Sequence, residues 1–330
     1  MSISQAIYKS PMPISWYPGH MNKARKELAR VMKDTDVIVE VLDARIPAAS
    51  SNPLLAQLRG DKPVIRILNK ADLAEPAITE AWLRWFSAEP GSRCLTHNNT
   101  IPLTKENLLS HCRKLLPPPV TNPNQAAKPR QILIVGIPNV GKSTLLNQIL
   151  DRKVAKTGNE PAVTKGQQRV KLDQNWVILD TPGLLWPKLE DQTAAYRLAL
   201  TGTIRNTAVQ SEDIAWFAAE VLLADFYPAL QSRYNLQTRP VDAEATLDAI
   251  ARNRGCVGKN RGVDWHKVSD VLLNDFRSGK LGPISLERPP EQSPGQPAPD
   301  RRSSEKPPPE KQPPDQGRNL QDHQQEQQQQ

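Results

Sequence analysis

The segment Gly136-Ile137-Pro138-Asn139-Val140-Gly141-Lys142-Ser143 fits the spacing G-x-x-x-x-G-K-[ST], and an apolar run, Ile132–Val135, leads into it while a helical pattern begins at Lys142. That context, strand then glycine-rich loop then helix, commits the chain to an α/β phosphate-loop fold. The glycines let backbone N–H groups curl around phosphates, and the helix N-terminus adds positive potential. Lys142 is placed to reach the terminal phosphates, and Ser143 offers an oxygen to Mg²⁺.

Three further motifs extend the chemistry. Asp180-Thr181-Pro182-Gly183 closes a second apolar strand, where a phosphate-loop protein needs an aspartate for Mg²⁺ and a glycine N–H near the γ-phosphate. Thr164, in Pro161-Ala162-Val163-Thr164-Lys165-Gly166, lies between the two and suits a switch threonine that completes the Mg²⁺ shell. Asn69-Lys70-Ala71-Asp72 ends the strand Val64–Leu68. The Asp72 carboxylate matches the N1–H and exocyclic amine of guanine, a donor pair that adenine lacks, so GTP is expected over ATP. Lys70 can lie along the base while Asn69 braces the loop.

The order of these motifs is reversed from that of an ordinary GTPase, because the guanine motif precedes the phosphate loop. The expected architecture is therefore a circularly permuted P-loop GTPase domain with a mainly parallel sheet. In that arrangement the proline-rich stretch Pro117–Pro129 joins the usual chain ends, and the new cut falls after Gly183. The helix Asn22–Lys33 then replaces the one that usually follows Asp-x-x-Gly, and His20 at its entrance comes near Gly183 and the γ-phosphate. Leu184 stands where many GTPases carry a water-orienting glutamine, which leaves hydrolysis to another group. His20 is the candidate, against a plain reading as a helix-entry residue bonded to backbone.

Strands are expected at Val37–Leu42, Val64–Leu68, Cys94–Thr96, Ile132–Val135, Arg169–Leu172 and Trp176–Leu179, alternating with helices near Pro76–Ser87, Lys105–Leu116 and from Lys142. Beyond residue 190 helical patterns take over at Asp213–Leu230, Asp242–Asn253 and Trp265–Phe276. The expected domains are a GTPase domain at 1–190 with its linker at 117–130, a small all-helical domain at 191–286, and a disordered Pro/Gln-rich tail at 287–330. That tail holds ten Pro and eleven Gln with almost no large apolar side chain, too little to offset its ordering entropy. It carries a net −2, which leaves +10 of the total +8 on the first 286 residues, so the basicity belongs to the folded part and favours a polyanionic partner. No secretory signal or membrane-length apolar run is visible, and three scattered cysteines, Cys94, Cys112 and Cys256, fit reduced thiols and a cytoplasmic location.

Together with Trp16-Tyr17-Pro18-Gly19-His20-Met21 and Leu42-Asp43-Ala44-Arg45-Ile46-Pro47, these motifs and their order resemble ribosome biogenesis GTPase A, a group of circularly permuted GTPases, over about residues 14–285. The resemblance implies GTP binding and hydrolysis, late assembly of the large ribosomal subunit, and a helical domain that contacts rRNA. It also matches His20 to the proposed catalytic histidine. The GTP-contacting set is then Asn69, Lys70, Ala71, Asp72, Asn139, Val140, Gly141, Lys142, Ser143, Thr144, Thr164 and Gly183. Mg²⁺ falls to Ser143, Thr164 and Asp180. Asn139 either shapes the phosphate loop or coordinates K⁺, as an asparagine at this position does in potassium-using GTPases. The basic face of the helix Lys23–Lys33 either meets RNA or is simply solvated. One departure is plain: the Ser-Ala loop that braces guanine from the far side has no clear counterpart in Cys94-Leu95-Thr96-His97-Asn98. The expected partners are GTP or GDP and a large-subunit precursor with its rRNA, and no membrane. Two other readings stay open: a GTPase of RNA modification or another RNA process, and a nucleotide-sensing RNA-binding protein.

Overall fold

Val37–Asp43 (β1) is buried along its whole length, which a strand achieves only when both faces of its sheet are covered. The computed structural model describes residues 21–98, 100, 102–118, 128–151, 168–181, 191–203, 210–258 and 262–290. Among these, β1 joins Val64–Asn69 (β2), Ser92–Thr96 (β3), Arg130–Gly136 (β4), Gln168–Lys171 (β5) and Trp176–Asp180 (β6) in one sheet of order β3-β2-β1-β4-β6-β5. Every neighbouring pair is parallel except β5 with β6. The expected mainly parallel sheet of a permuted GTPase is the one found.

Side chains alternate between the two faces with the period of two that a strand imposes. On one face, Ile38, Val64, Leu133, Val135 and Leu179 pack against Leu28, Val31 and Met32 of Met21–Lys33 (α1) and Leu55 of Pro53–Arg59 (α3). Farther along it, Leu42 and Leu68 meet Ile78, Trp82 and Phe86 of Pro76–Ser87 (α4). A short helix, Pro47–Ser50 (α2), follows β1 directly. The opposite face carries Val39, Val41, Ile65, Ile67, Ile132 and Ile134 under Lys105–Leu115 (α5) and Lys142–Leu150 (α6). By covering β4 and β6, α1 stands where the permuted order puts it.

Past the sheet the chain is helical: Gln192–Leu200 (α7), Ser211–Asp225 (α8), Tyr227–Tyr234 (α9), Ala243–Arg254 (α10) and Trp265–Arg277 (α11). The single helix expected over Asp213–Leu230 is two, broken at Phe226 (φ −132°, ψ 29°). Pro228 explains the break. Its missing N–H is harmless in the first turn of α9 but would remove a bond inside a continuous helix.

The boundary expected at residue 286 needs correction, because the folded chain continues into Glu287, which is 6 % exposed. Its carboxylate accepts from the Ala48 and Ala49 N–H groups at the start of α2, and Arg197 of α7 lies 3.4 Å away. Its carbonyl accepts from Trp82 Nε1, while the backbone N–H groups of Ile284 and Leu286 bond to the carbonyls of Leu73 and Arg45. A Pro/Gln-rich composition conceals this strap, since the charge that anchors it reads as part of the polar tail. The rest of the expected tail, from residue 291, lies outside the described residues.

Candidate functional site

Parallel strands deliver their C-terminal ends to one edge of the sheet, and loops that follow neighbouring strands meet there. Three of them carry the sequence motifs. The loop after β4 holds Gly136–Ser143, the loop after β2 holds Asn69–Asp72, and β6 ends at Asp180. β1 lies between β2 and β4, and its own C-terminal Asp43 enters the same edge.

Lys142, at the N-terminus of α6, is 6 % exposed, and its Nζ donates to the carbonyls of Gly136 and Ile137 at 2.9 Å each. Burial lowers its amine to about 8, and the carboxylate of Asp180 partly offsets the fall. Asp180 is fully buried, and among the described residues neither carboxylate oxygen has a hydrogen-bond partner. Burial accordingly raises its pKa, against the opposing pull of Lys142. An orphaned buried carboxylate beside a phosphate loop is costly unless a cation completes it. Ser143 and Thr144 occupy the first turn of α6, with Thr144 exposed.

The two loops are physically joined. Asn69 Nδ2 donates to the carbonyl of Val140 at 2.6 Å, so the guanine motif is bonded to the phosphate loop across 71 residues of sequence. Gly141 makes that approach possible: its φ is +100°, and a Cβ there would run into the Asn69 amide. Lys70 is in the left-handed conformation (φ 57°) and its Nζ lies 2.9 Å from Asp43 Oδ2. Burial alone would raise the Asp43 carboxyl, but the charges of Arg45 and Lys70 outweigh it and hold the group well below the carboxylate range. Asp72 sits exposed in a single 3₁₀ turn, Ala71–Leu73, where a base can reach its carboxylate.

Asn139 has φ +57° and its Nδ2 donates to the Gly202 carbonyl at 2.8 Å, just beyond α7. The phosphate loop thus touches the helical region directly, a link that no sequence pattern announces. His97 is another addition. It follows β3, in the stretch that lacks a recognisable bracing loop, and lies 2.7 Å from Asn69 Oδ1. His20, Thr164, Gly183 and Leu184 lie outside the described residues.

The sequence matches the family described as 50S ribosome-binding GTPase over residues 131–224, beginning at β4; the guanine motif lies before the match, as a permuted order requires. Ribosome biogenesis GTPase A of Bacillus cereus is 39 % identical over 283 residues, covering 85 % of this chain and 95 % of that protein. The chain belongs to the ribosome biogenesis GTPase A family. Another member, from Thermotoga maritima, is 30 % identical over 283 residues, 86 % of this chain and 97 % of its own length. The crystal structure of GNP-bound YlqF from T. maritima superposes with a TM-score of 0.58 at 26 % identity, over 82 % of this chain and all of that one. Its GDP-bound structure gives 0.56 at 25 %, over 81 % and 99 %. As a member of the ribosome biogenesis GTPase A family, the chain is a GTP-hydrolysing enzyme.

Proposed function

We propose that the chain assists late maturation of the large ribosomal subunit in the cytoplasm, and that its GTP state sets its hold on the precursor and its rRNA. The Asn139–Gly202 bond carries this reading, because a loop that wraps phosphates is there fastened to the helical region. The names of the relatives supply the ribosome. The α10–α11 connection supplies an RNA face: Arg254 and Lys267 are exposed, Lys267 Nζ lies 3.3 Å from the Gly255 carbonyl, and Trp265 is 39 % exposed. Among the described residues no helix is long and apolar enough to cross a membrane.

In this reading the α6 N-terminus, Gly141, Lys142, Ser143 and Thr144 bind the phosphates, with Asn139 and Val140 lining the loop. Asn69 through Asp72 hold guanine, and Thr164 with Gly183 senses the γ-phosphate. Mg²⁺ would be held by Ser143, Thr164 and Asp180, and when bound it neutralises charge on the β- and γ-oxygens. The Asp180 carboxylate, which has no hydrogen-bond partner among the described residues, fits that ion. Asn139 fits K⁺ in ligand type, because its amide carries a carbonyl oxygen.

Cosedimentation with large-subunit precursors tests the coupling. Tight binding is expected with a non-hydrolysable GTP analogue and weaker binding with GDP, both falling as salt rises. Equal affinity in the two states would overturn it.

Hydrolysis is assigned to His20, from the inferred chain order and the leucine at position 184. His20→Ala should keep GTP binding and slow precursor-stimulated turnover by roughly a hundredfold. Wild-type turnover would reject the assignment, and equal rates in Na⁺ and K⁺ would reject the potassium site.

A further inference from the structure

His97 is 2 % exposed and sits where the chain leaves β3. Its Nδ1 lies 2.7 Å from Asn69 Oδ1, and its Nε2 lies 2.6 Å from Gln148 Oε1 on α6. Its backbone also takes part: the N–H donates to the Leu68 carbonyl, and the carbonyl accepts from Ala71 N–H. One residue therefore touches the strand before the guanine motif, the motif's asparagine, the turn that carries Asp72, and the helix that starts at the phosphate loop.

The proton positions follow from Asn69. Its Nδ2 donates to the Val140 carbonyl, so its Oδ1 is left to accept, and His97 must donate from Nδ1. Burial lowers the pKa of His97, with smaller opposing effects from Gln148 and Asp72, so the neutral ring prevails near pH 7. A neutral ring that donates from Nδ1 accepts at Nε2, and a half-turn of the Gln148 amide, which exchanges its Oε1 for its NH₂, lets that side chain donate. The chain Gln148 to His97 to Asn69 to Val140 thus runs in one donor direction and closes a ring through α6, whose N-terminus follows Val140. Each bond polarises the next.

We propose that His97 is a positioning residue for guanine recognition, holding Asn69 against the phosphate loop so that Asp72 meets the base at a fixed distance from the phosphates. This rests on the assignment of Asn69–Asp72 as the guanine loop. It gives the segment Cys94–Asn98 the bracing role that its sequence does not display, exerted on the loop rather than on the base.

Labelled GDP, with tripolyphosphate as a competitor that uses the phosphate loop alone, tests the role. His97→Ala orphans the buried Asn69 Oδ1 and should weaken GDP by about tenfold while leaving tripolyphosphate within twofold. His97→Gln, which offers a donor and an acceptor, should recover most of the loss. Gln148→Leu should cost less, about threefold, and add nothing to His97→Ala, because the two act through one path. Unchanged GDP affinity in His97→Ala, or an equal fall for GDP and tripolyphosphate, would overturn the proposal. If His97→Ala fails to fold, additive losses from Gln148→Leu and His97→Gln would do so. Asp72→Asn in the same assay separates the two levels: unchanged GDP affinity there would remove the guanine-loop assignment, and the role of His97 with it.

Discussion

Asp72→Asn is expected to invert the base preference of this GTPase. A carboxylate accepts from both the N1–H and the exocyclic amine of guanine, and a bidentate pair of this kind is worth about 1–3 kcal/mol, more when one partner is charged. The amide of the variant offers one acceptor and one donor. Its NH₂ would face the guanine amine, donor against donor, whereas xanthine presents a carbonyl at that position. GTP affinity should fall by roughly ten- to several-hundredfold, and affinity for xanthosine triphosphate should rise by a similar factor. Asp72 is exposed in its turn, so the exchange should leave thermal stability within about 0.5 kcal/mol. Competition between GTP and xanthosine triphosphate for a labelled nucleotide reads the effect, and an unchanged ratio would remove Asp72 from the base contact.

Much of this architecture is legible in the amino-acid sequence. The phosphate loop, the apolar strands and the reversed motif order suffice for a permuted sheet, because each is a local pattern with a physical cause. The features that local patterns do not display depend on partners far away along the chain. His97 acquires its place from Asn69, 28 residues distant, and from Gln148, 51 residues distant. Glu287 finds α2 across 239 residues. The short helices α2 and α3 show little periodicity, and are set by a proline in the first turn of each and, for α3, by Asn52 accepting from Leu54 N–H. No spacing rule reaches such contacts.

The second large effect concerns Lys142. Its amine donates to two carbonyls of its own loop, and burial lowers its pKa to about 8. Phosphates restore the charged form, so the amine titrates higher with nucleotide bound than without it. Below pH 8 both states hold the proton and affinity is flat. Above it, binding takes up a proton, and affinity should fall by up to about tenfold per pH unit until the bound group titrates. Calorimetry at pH 7 and 9, in buffers of different ionisation heat, would detect the uptake. Lys142→Ala should abolish the pH dependence and cost about 3–5 kcal/mol of nucleotide binding, since it leaves a buried phosphate without its counter-charge. An affinity independent of pH from 7 to 9 in the wild type, or nucleotide binding retained by Lys142→Ala, would remove this lysine from the phosphates.

The reversed motif order also has a temporal side. β1 and β2 are synthesised well before β4, so the flank of β1 that will receive β4 is an open edge during that interval, and open edges recruit foreign strands. Both strands carry an inward charge in an otherwise apolar run. Glu40 stands directly opposite Arg66, with Arg66 Nε 3.2 Å from its carboxylate and both side chains almost fully buried. A slip of one residue would set Glu40 against Ile65 or Ile67 and part the two charges, leaving Arg66 with Glu89 and Ser92 and Glu40 with Ser51 and Asn52, so only one register satisfies the pair. The register of β1 on β2 is thus fixed by residues of those two strands alone, before β4 is made.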